Sequence, residues 1–341
     1  MLAKMGRIAL LAEELGRRGE AQAMAQRLSD ILDVWLDGSR AASPLLYDVK
    51  WGGVVACGCY FNYESEDGCY NGVSGAECPG LTDLGQNFGQ GFYQDHHFHF
   101  GYHIYAAAVV AHFLPETARS QWDRVLLLVR DVANPSASDP WFPQWRHKDW
   151  FLGSSWASGI VKWEWGPDPH GRNQESISEA VNAYDAIALY GQEMAKAFEL
   201  LDPSSSKSDT STGVSHAAIA RRVRDTGRVM VATEIASAQA FWQVCHDTKT
   251  EQGQITPCAL SSLTLSSPTI PVANQPTYPS GYAPNVVGQI WSTSAEMQTW
   301  FGSAAWKVSV NPFVLWRRLI NVPPYHPVQD TTCCRKLDAR V

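Results

Sequence analysis

The sequence predicts a mainly α fold in which antiparallel helix pairs form an α/α toroid, with long loops on one side building a cleft. Three observations support this prediction. Apolar residues recur at helical spacing over much of the chain. The helical stretches come in antiparallel pairs, and these pairs carry long loops on one side, as in functional loops over a rigid scaffold. An ordinary helical bundle is the alternative, but it would not need such loops.

The first pair is predicted at residues 2–17 and 20–36, where Leu, Ile, Ala and Val follow near-helical spacing. Gly16 and Gly19 separate the two helices, and Asp37-Gly38 closes the second. These signals are typical of a helical hairpin.

Further helices are predicted over five stretches, which run from near His99 to before Pro115, then over 118–132, 175–201, 214–244 with an interruption at Gly227, and 294–300. The intervening loops are rich in Gly, Pro, Ser and Trp, and they cover 43–89, 134–173 and 254–289. A Ser-rich linker is predicted at 203–213.

Length and charge exclude several classes of function. A chain of 341 residues fits one large domain. The net charge of −7, with no block of like charge, makes nucleic acid an unsuitable partner. No segment has the roughly 20 apolar residues of a membrane span. The N-terminus lacks a signal-peptide pattern, which indicates an intracellular protein or a fragment whose targeting sequence lies upstream, so localisation stays open.

The cysteines indicate a disulfide-bonded loop. Cys57, Cys59, Cys69 and Cys78 fall within one Gly-rich loop. A zinc knot is the alternative, but the C-x-C…C…C spacing fits no strong zinc pattern, so we favour disulfides. The remaining cysteines are scattered, at Cys245, Cys258, Cys333 and Cys334.

A polar and aromatic cluster dominates residues 87–111, which read NFGQGFYQDHHFHFGYHIYAAAVVA. Asp95 lies among aromatic rings where an apolar helix begins, a setting typical of a hydrogen-bonded network or a cleft. The alternative is a core segment with satisfied histidines. A metal site is a further reading of the four imidazoles, at His96, His97, His99 and His103. No second ligand motif accompanies them, so the sequence predicts no metal and no cofactor.

Two further carboxylates, Glu175 and Glu179, lie one turn apart on one helix face. A purely structural explanation is that both glutamates enrich the first turn in acidic residues, because the helix dipole favours anions there. Glycoside hydrolysis, however, needs one carboxylic acid to protonate the leaving oxygen and one carboxylate to act on the anomeric centre or on a water. Asp95 and Glu175 fit these roles if the fold brings them together. The 14 tryptophans also make sugar-stacking surfaces plausible.

Five strings carry a resemblance to a known family. They are YDVKWGG (47–53), NFGQGFYQDHHFHFGYHIYAAAVVA (87–111), LVRDVANPSASDPWFPQWRHKDWFLGSSWASG (128–159), NQESISEAVNAYDAIALYG (173–191) and TWFG (299–302). In these strings the chain resembles glycoside hydrolase family 81, the endo-β-1,3-glucanases, and specifically their helical C-terminal domain. The resemblance implies an (α/α)6 barrel and inverting hydrolysis of internal bonds in laminarin- or callose-like β-1,3-glucans. Family members are often extracellular or cell-wall associated.

On the matching positions the resemblance implies that Asp95 is the general acid, Glu175 the base that activates water and Glu179 its essential neighbour. The side chains that we expect to contact the glucan are Tyr93, His97, His99, Tyr102, Asp149, Trp150, Trp156 and Asn173.

The chain departs from the family pattern in three places. Ser154 stands where family members typically carry a histidine that faces the cleft. An N-terminal β-sandwich, typical of the family, is expected to be missing from this chain. After Lys307 the resemblance ends, which predicts a catalytic domain over 1–307 and a divergent tail over 308–341. A β-1,3-glucan-binding protein with impaired catalysis is therefore the alternative function.

Overall fold

The computed structural model describes residues 1–38, 41, 43–61, 69–70, 78–160, 173–174, 176–201 and 214–238, together with short strands at 248–249, 255–256, 289–291 and 295–296. Six α-helices lie in this part of the chain: α1 (Leu2–Glu14), α2 (Arg18–Leu36), α3 (His96–Phe113), α4 (Pro115–Ala133), α5 (Ile177–Leu201) and α6 (His216–Ser237). They form three consecutive pairs whose members pack against each other, and α3 also packs along α5. The predicted mainly α architecture of helix pairs is confirmed.

Short strands occur in the connections. An antiparallel hairpin joins β1 (Leu45–Asp48) to β2 (Gly53–Ala56), and 3-10 turns follow at Pro79–Leu81 and Gln86–Phe92. The remaining strands are β3 (Tyr60–Phe61), β4 (Cys69–Tyr70), β5 (Asn173–Gln174), β6 (Thr248–Lys249), β7 (Ile255–Thr256), β8 (Gln289–Trp291) and β9 (Ala295–Glu296). The two-residue strand β5, which directly precedes the start of α5, pairs antiparallel with β8. The strands thus connect the long loops to the helical scaffold.

Helix α3 is the centre of the core, because both its aromatic first half and its Ala- and Val-rich second half are buried. The helix begins at His96, three residues before the predicted start near His99. Asp95 occupies the N-cap position with a left-handed backbone (φ 55°), so the polar residues His96 and His97 belong to the first turn. Pro115 then begins α4, as proline at a first helical position commonly does.

Glycines allow the closest helix approaches. A Cβ added at Gly101 of α3 would lie 2.6 Å from the Cβ of Ala183 on α5. A Cβ at Gly227 of α6 would lie 2.5 Å from the backbone nitrogen of Ala188 on α5. The predicted interruption at Gly227 is therefore wrong: α6 runs through it, and the glycine serves the contact between α5 and α6.

The cysteine loop contains a disulfide between Cys57 and Cys78, and Cys59 is disulfide-bonded as well. The prediction of disulfides is confirmed for these cysteines. The side chain of Cys69 and the four scattered cysteines lie outside the described residues, as does the proposed boundary at Lys307. Of the helix predicted at 294–300 the structure describes residues 295–296, and these form strand β9, so the helix prediction is wrong there. Within the described helices, none combines the length and the apolarity that crossing a membrane requires.

His112 joins three helices through ion pairs. Its Nε2 lies 2.9 Å from Glu13 Oε2 on α1, and its Nδ1 lies 3.4 Å from Glu193 Oε2 on α5. The hydrogen bond to Glu193 raises the pKa of His112 above its usual value, burial opposes this rise, and Glu13 adds to it. A group whose pKa is raised by folding stabilises the fold below its unfolded pKa, near 6.5, and this contribution is lost as the pH rises through the folded pKa.

We expect His112→Gln to lower the free energy of unfolding by less than about 1 kcal/mol, because the pair is partly exposed, and to do so more at about pH 5.5 than at about pH 9. Urea titrations of both proteins at the two pH values measure this difference. A loss of stability that is equal at both pH values would contradict the ion-pair interpretation.

Candidate active site

The candidate site lies where α3 and α5 begin. The backbone N–H of Asp95, directly before α3, donates to Ala157 O at 2.9 Å. The N–H of Ala157 donates to Asn173 O at 2.7 Å, and Asn173 belongs to β5, which leads into α5. Two backbone hydrogen bonds therefore join Asp95 to Asn173 through the single residue Ala157. The loop at Ala157 therefore lies between the two helix starts.

The backbone near Asp95 is held in an uncommon conformation. Tyr93 and Asp95 both have left-handed backbones, with φ of 66° and 55°. For a bulky residue such as Tyr93 this is an outlier that costs on the order of 1–3 kcal/mol, and such residues cluster at functional sites. The Tyr93 hydroxyl donates to Asp48 Oδ2 at 2.9 Å, and the Arg146 guanidinium lies 4.4 Å from the Tyr93 ring centre. These contacts fix the turn that presents the partly exposed Asp95.

Asp95, His99 and Tyr102 follow one another at helical i, i+4, i+7 spacing, so they lie along one face of α3. Tyr102 is 36% exposed and donates its hydroxyl to Glu179 Oε1, in the first turn of α5, at 2.6 Å. Burial and the neighbouring Glu179 carboxylate raise the pKa of Tyr102. A hydrogen bond thus links Tyr102 and Glu179 across the two helices, and Tyr102 lies about 10 Å along the face of α3 from Asp95.

His99 is half-buried between Asp95 and Tyr102 on this face. Burial, with His96 and His103 nearby, lowers the pKa of His99 to about 4. A neutral imidazole at neutral pH offers one N–H donor and one acceptor nitrogen, which suits contact with sugar hydroxyls.

The loop from Lys148 to Ser158 carries further predicted residues. Trp150 is 41% exposed and packs edge-on against Trp145, with ring centres 4.9 Å apart. Asp149 uses Oδ1 to accept the N–H groups of Phe151 and Leu152, at 2.9 and 3.0 Å, and its Oδ2 accepts Trp156 Nε1 at 3.3 Å. Asp149 therefore shapes the loop, whereas Trp150 presents a ring to solvent.

Comparisons with known proteins agree on one family. The family model described as the glycosyl hydrolase family 81 C-terminal domain matches residues 1–199, which is more than half of the chain. The chain belongs to glycosyl hydrolase family 81. A solved family 81 structure from Clostridium thermocellum aligns with a TM-score of 0.51 at 22% identity, covering 89% of this chain and 32% of that chain. This likeness shows the shared fold, the α/α toroid of family 81.

Curated relatives extend the comparison. A primary septum glucan endo-1,3-beta-D-glucosidase from Schizosaccharomyces pombe is 35% identical over 52% of this chain and 15% of its own length. A glucan endo-1,3-beta-D-glucosidase from Glycine max is 32% identical over 56% of this chain and 25% of its own length. The chain therefore spans a quarter or less of these relatives.

In this family 81 domain, two residues predicted to line the cleft lie beneath the surface. Tyr93 is 3% exposed and His97 is fully buried, so neither side chain is presented at the surface that was predicted to contact the glucan. His97 projects among aromatic rings, 4.8 Å from His147 and 6.2 Å from Tyr184 by ring centres. Burial, His96 and Lys148 together lower the pKa of His97 to about 3. Trp156, at 8% exposure, is also largely buried.

The four histidines that were considered as metal ligands do not converge on one point. His96 Nδ1 lies 2.6 Å from Asp131 Oδ2 and His96 Nε2 lies 2.7 Å from Gln90 O. Both ring nitrogens of His96 are therefore engaged by protein oxygens, while His103 Nδ1 instead bonds His99 O at 2.9 Å. Within the part of the chain that the structure describes, the donor atoms that do converge belong to His96, Asp131 and His147. The hydrogen bond between His96 and Asp131 accounts for two of these three groups.

Several polar residues of the family 81 site region were not singled out by the sequence analysis. Asp48 holds the Tyr93 hydroxyl, Asp131 pairs with His96, and Glu234 pairs with Lys148. The signal that could have found Asp131 is a single carboxylate in the largely apolar end of its helix, VLLLVRDVA. Glu175 lies outside the described residues, between Gln174 and Ser176, which are both buried.

Proposed function

We propose that this chain catalyses the inverting hydrolysis of internal β-1,3-glucosidic bonds in β-1,3-glucans, with Asp95 as general acid, Glu175 as general base and Glu179 as its assistant. The names of the curated relatives support the reaction class. The observation that carries the assignment of roles is the backbone link from Asp95 through Ala157 to Asn173. It brings the acid close to the segment that leads to the base.

An inverting mechanism makes a geometric demand on the two carboxyl groups. Ala157 joins Asp95 to Asn173 by two backbone hydrogen bonds, and Glu175 follows Asn173 by two positions in the chain. In inverting glycosidases the two carboxyl groups lie about 6.5–9.5 Å apart, because a water must fit between the base and the sugar. Retaining enzymes need a shorter separation of about 5–5.5 Å.

In the proposed reaction Asp95 donates its proton to the glucosidic oxygen as the bond from that oxygen to the anomeric carbon breaks. Glu175 takes a proton from a water, whose oxygen forms the new bond to the anomeric carbon from the opposite face of the sugar. The products are two shorter chains, one with a new hydroxyl at its anomeric carbon. Asp95 then recovers a proton from solvent as Glu175 releases one.

Neighbouring side chains support these roles. Tyr102 donates to Glu179 at 2.6 Å and thereby leaves the second Glu179 oxygen to orient Glu175 or its water. We assign the glucan contacts to His99, Tyr102, Trp150 and Asn173, of which Trp150 presents an exposed ring for stacking.

The stereochemistry of the product tests the mechanism. We expect the first reducing ends released from laminarin to be α-anomers, because a single displacement inverts the β-linkage. Time-resolved proton NMR of the anomeric signals, recorded before mutarotation, measures this. Initial release of the β-anomer would contradict the inverting assignment, and a known retaining laminarinase provides the control.

Impaired catalysis with retained binding is the second candidate function. Ser154 stands where the family pattern predicts histidine, and it is only 7% exposed. This candidate predicts retardation of the protein on a laminarin-containing gel without release of reducing sugar. Reducing-sugar release that is abolished by Glu175→Gln would instead support the enzyme.

A further inference from the structure

A buried carboxylate on α6 joins the segments that flank the candidate site. Glu234 is fully buried and accepts four hydrogen bonds. Lys148 Nζ donates at 2.8 Å and Ser155 Oγ at 2.9 Å, while Ser155 N and Gln174 Nε2 both donate at 3.2 Å. Ser155 Oγ also lies 2.6 Å from the hydroxyl of Tyr184 on α5. One side chain therefore connects α6, the loop from Lys148 to Ser158, and β5.

Each connected segment leads to a residue of the proposed site. Two residues after Ser155, Ala157 bonds the backbone of both Asp95 and Asn173. Gln174 directly precedes Glu175 in the chain, and its amide points to Glu234 rather than to solvent. The backbone that carries the proposed base is thus tied to a helix about 60 residues further along the chain.

A buried carboxylate without partners would be strongly unfavourable, so this one is matched by several donors. Lys148 is also fully buried, and its ammonium donates a second hydrogen bond to Gly153 O at 2.6 Å. Such satisfied polar networks favour one geometry, because a shift of any segment would leave a buried polar group without its hydrogen-bond partner. Apolar packing alone would allow the loop and β5 to shift against each other more easily.

We propose that Glu234, acting through Gln174, is a positioning residue that fixes the backbone of β5 and thereby the direction in which Glu175 is presented. The positioning of β5 by Glu234 is independent of the proposed function. Only its expected effect on catalysis rests on the proposed role of Glu175. The alternative is that the network contributes to stability and nothing more.

A matched pair of variants separates the two interpretations. Gln174→Met removes the buried amide that donates to Glu234, at the position directly before the proposed base. Gln121→Met removes an equivalent donor remote from the site, since Gln121 Nε2 donates to Asp33 Oδ1 at 2.8 Å between α4 and α2. Both variants keep the approximate volume of the side chain, so both are expected to lower the melting temperature of the full chain by similar amounts.

For Gln174→Met we expect kcat on laminarin to fall by about 10- to 100-fold with KM within about twofold, because a misplaced catalytic group slows chemistry without weakening binding. Gln121→Met is expected to keep the kcat of the unmodified protein. Amide hydrogen exchange over residues 173–177 is expected to accelerate in Gln174→Met alone. Equal kcat in the two variants, or unchanged exchange over 173–177, would overturn the inference. If the unmodified chain released no reducing sugar but Gln174→Met still exchanged faster over residues 173–177, the result would support positioning of β5 and contradict the proposed function.

Discussion

Replacing Asp95 by asparagine is expected to lower the rate of laminarin hydrolysis by about 10³-fold, within the range that general acid catalysis contributes. The amide keeps the shape of the side chain and its place before α3, but it has no proton of suitable acidity to give to the leaving oxygen. Initial rates of reducing-sugar release measure the loss. Asp123→Asn, at an exposed position on α4, is the matched control and is expected to retain full activity.

The role of Asp95 can be separated from a loss of binding by changing the leaving group. A dinitrophenyl β-glucoside of a laminari-oligosaccharide needs no protonation, so Asp95→Asn is expected to cleave it nearly as fast as the unmodified chain. In Glu175→Ala, added azide is expected to replace the activated water and to form an α-glucosyl azide. Equal loss on both types of substrate for Asp95→Asn would refute the assignment of the acid.

The largest effect on stability is expected for Asp131→Asn, which should lower the free energy of unfolding by about 3–5 kcal/mol. The Asp131 carboxylate is fully buried, pairs with the buried His96 at 2.6 Å and accepts the N–H of Val54 at 3.0 Å. Arg146 lies 3.5 Å away. Removing this negative charge leaves the buried His96 ring and the Arg146 guanidinium without their acidic partner in the core.

The effect of Asp131 should depend on pH in a defined direction. Burial alone would raise the pKa of Asp131, but His96, Arg146 and His147 outweigh it and lower the pKa below its usual value. A carboxyl whose pKa is lowered by folding stabilises the fold above its unfolded pKa, near 3.9, and loses this contribution as the pH falls through the folded pKa. Denaturant titrations should therefore show the largest difference between the two proteins near neutral pH and a shrinking difference in acid.

A surface pair provides the control for this prediction. Glu20 forms an exposed ion pair with Arg17 at 2.7 Å, and Glu20→Gln is expected to unfold at the same denaturant concentration as the unmodified chain. Equal free energies of unfolding for Asp131→Asn and Glu20→Gln would show that the buried pair of Asp131 and His96 does not stabilise the fold.

Helical spacing was sufficient to predict the three helix pairs, because each helix buries a continuous apolar face. The start of α3 was predicted too late, since aromatic and imidazole residues such as His96 and His97 resemble loop sequence when their buried partners are unknown. The same periodicity shows in retrospect that Asp95, His99 and Tyr102 share one face, whereas His97 projects from another.

Long-range partners set the limit of prediction from sequence. Asp149 was predicted to contact substrate, but the structure engages both of its oxygens with its own loop. The partners of Asp131 and Glu234 lie between 15 and 86 residues away in the chain, and no local pattern encodes such pairs. The link between Tyr102 and Glu179 spans 77 residues and follows from the packing of α3 on α5, which periodicity alone does not specify.

The contact between Gly101 and Ala183 has a consequence for how this domain tolerates change. Since only a hydrogen atom and a methyl group separate the two backbones there, the gap between them cannot be adjusted by rotating a side chain. Any larger residue at either position would move one whole helix, together with the carboxylate at its leading end. For the proposed mechanism, the spacing between the acid before α3 and the base before α5 thus depends on this close contact. Substitutions at these two positions are expected to change that spacing without replacing a proposed catalytic group.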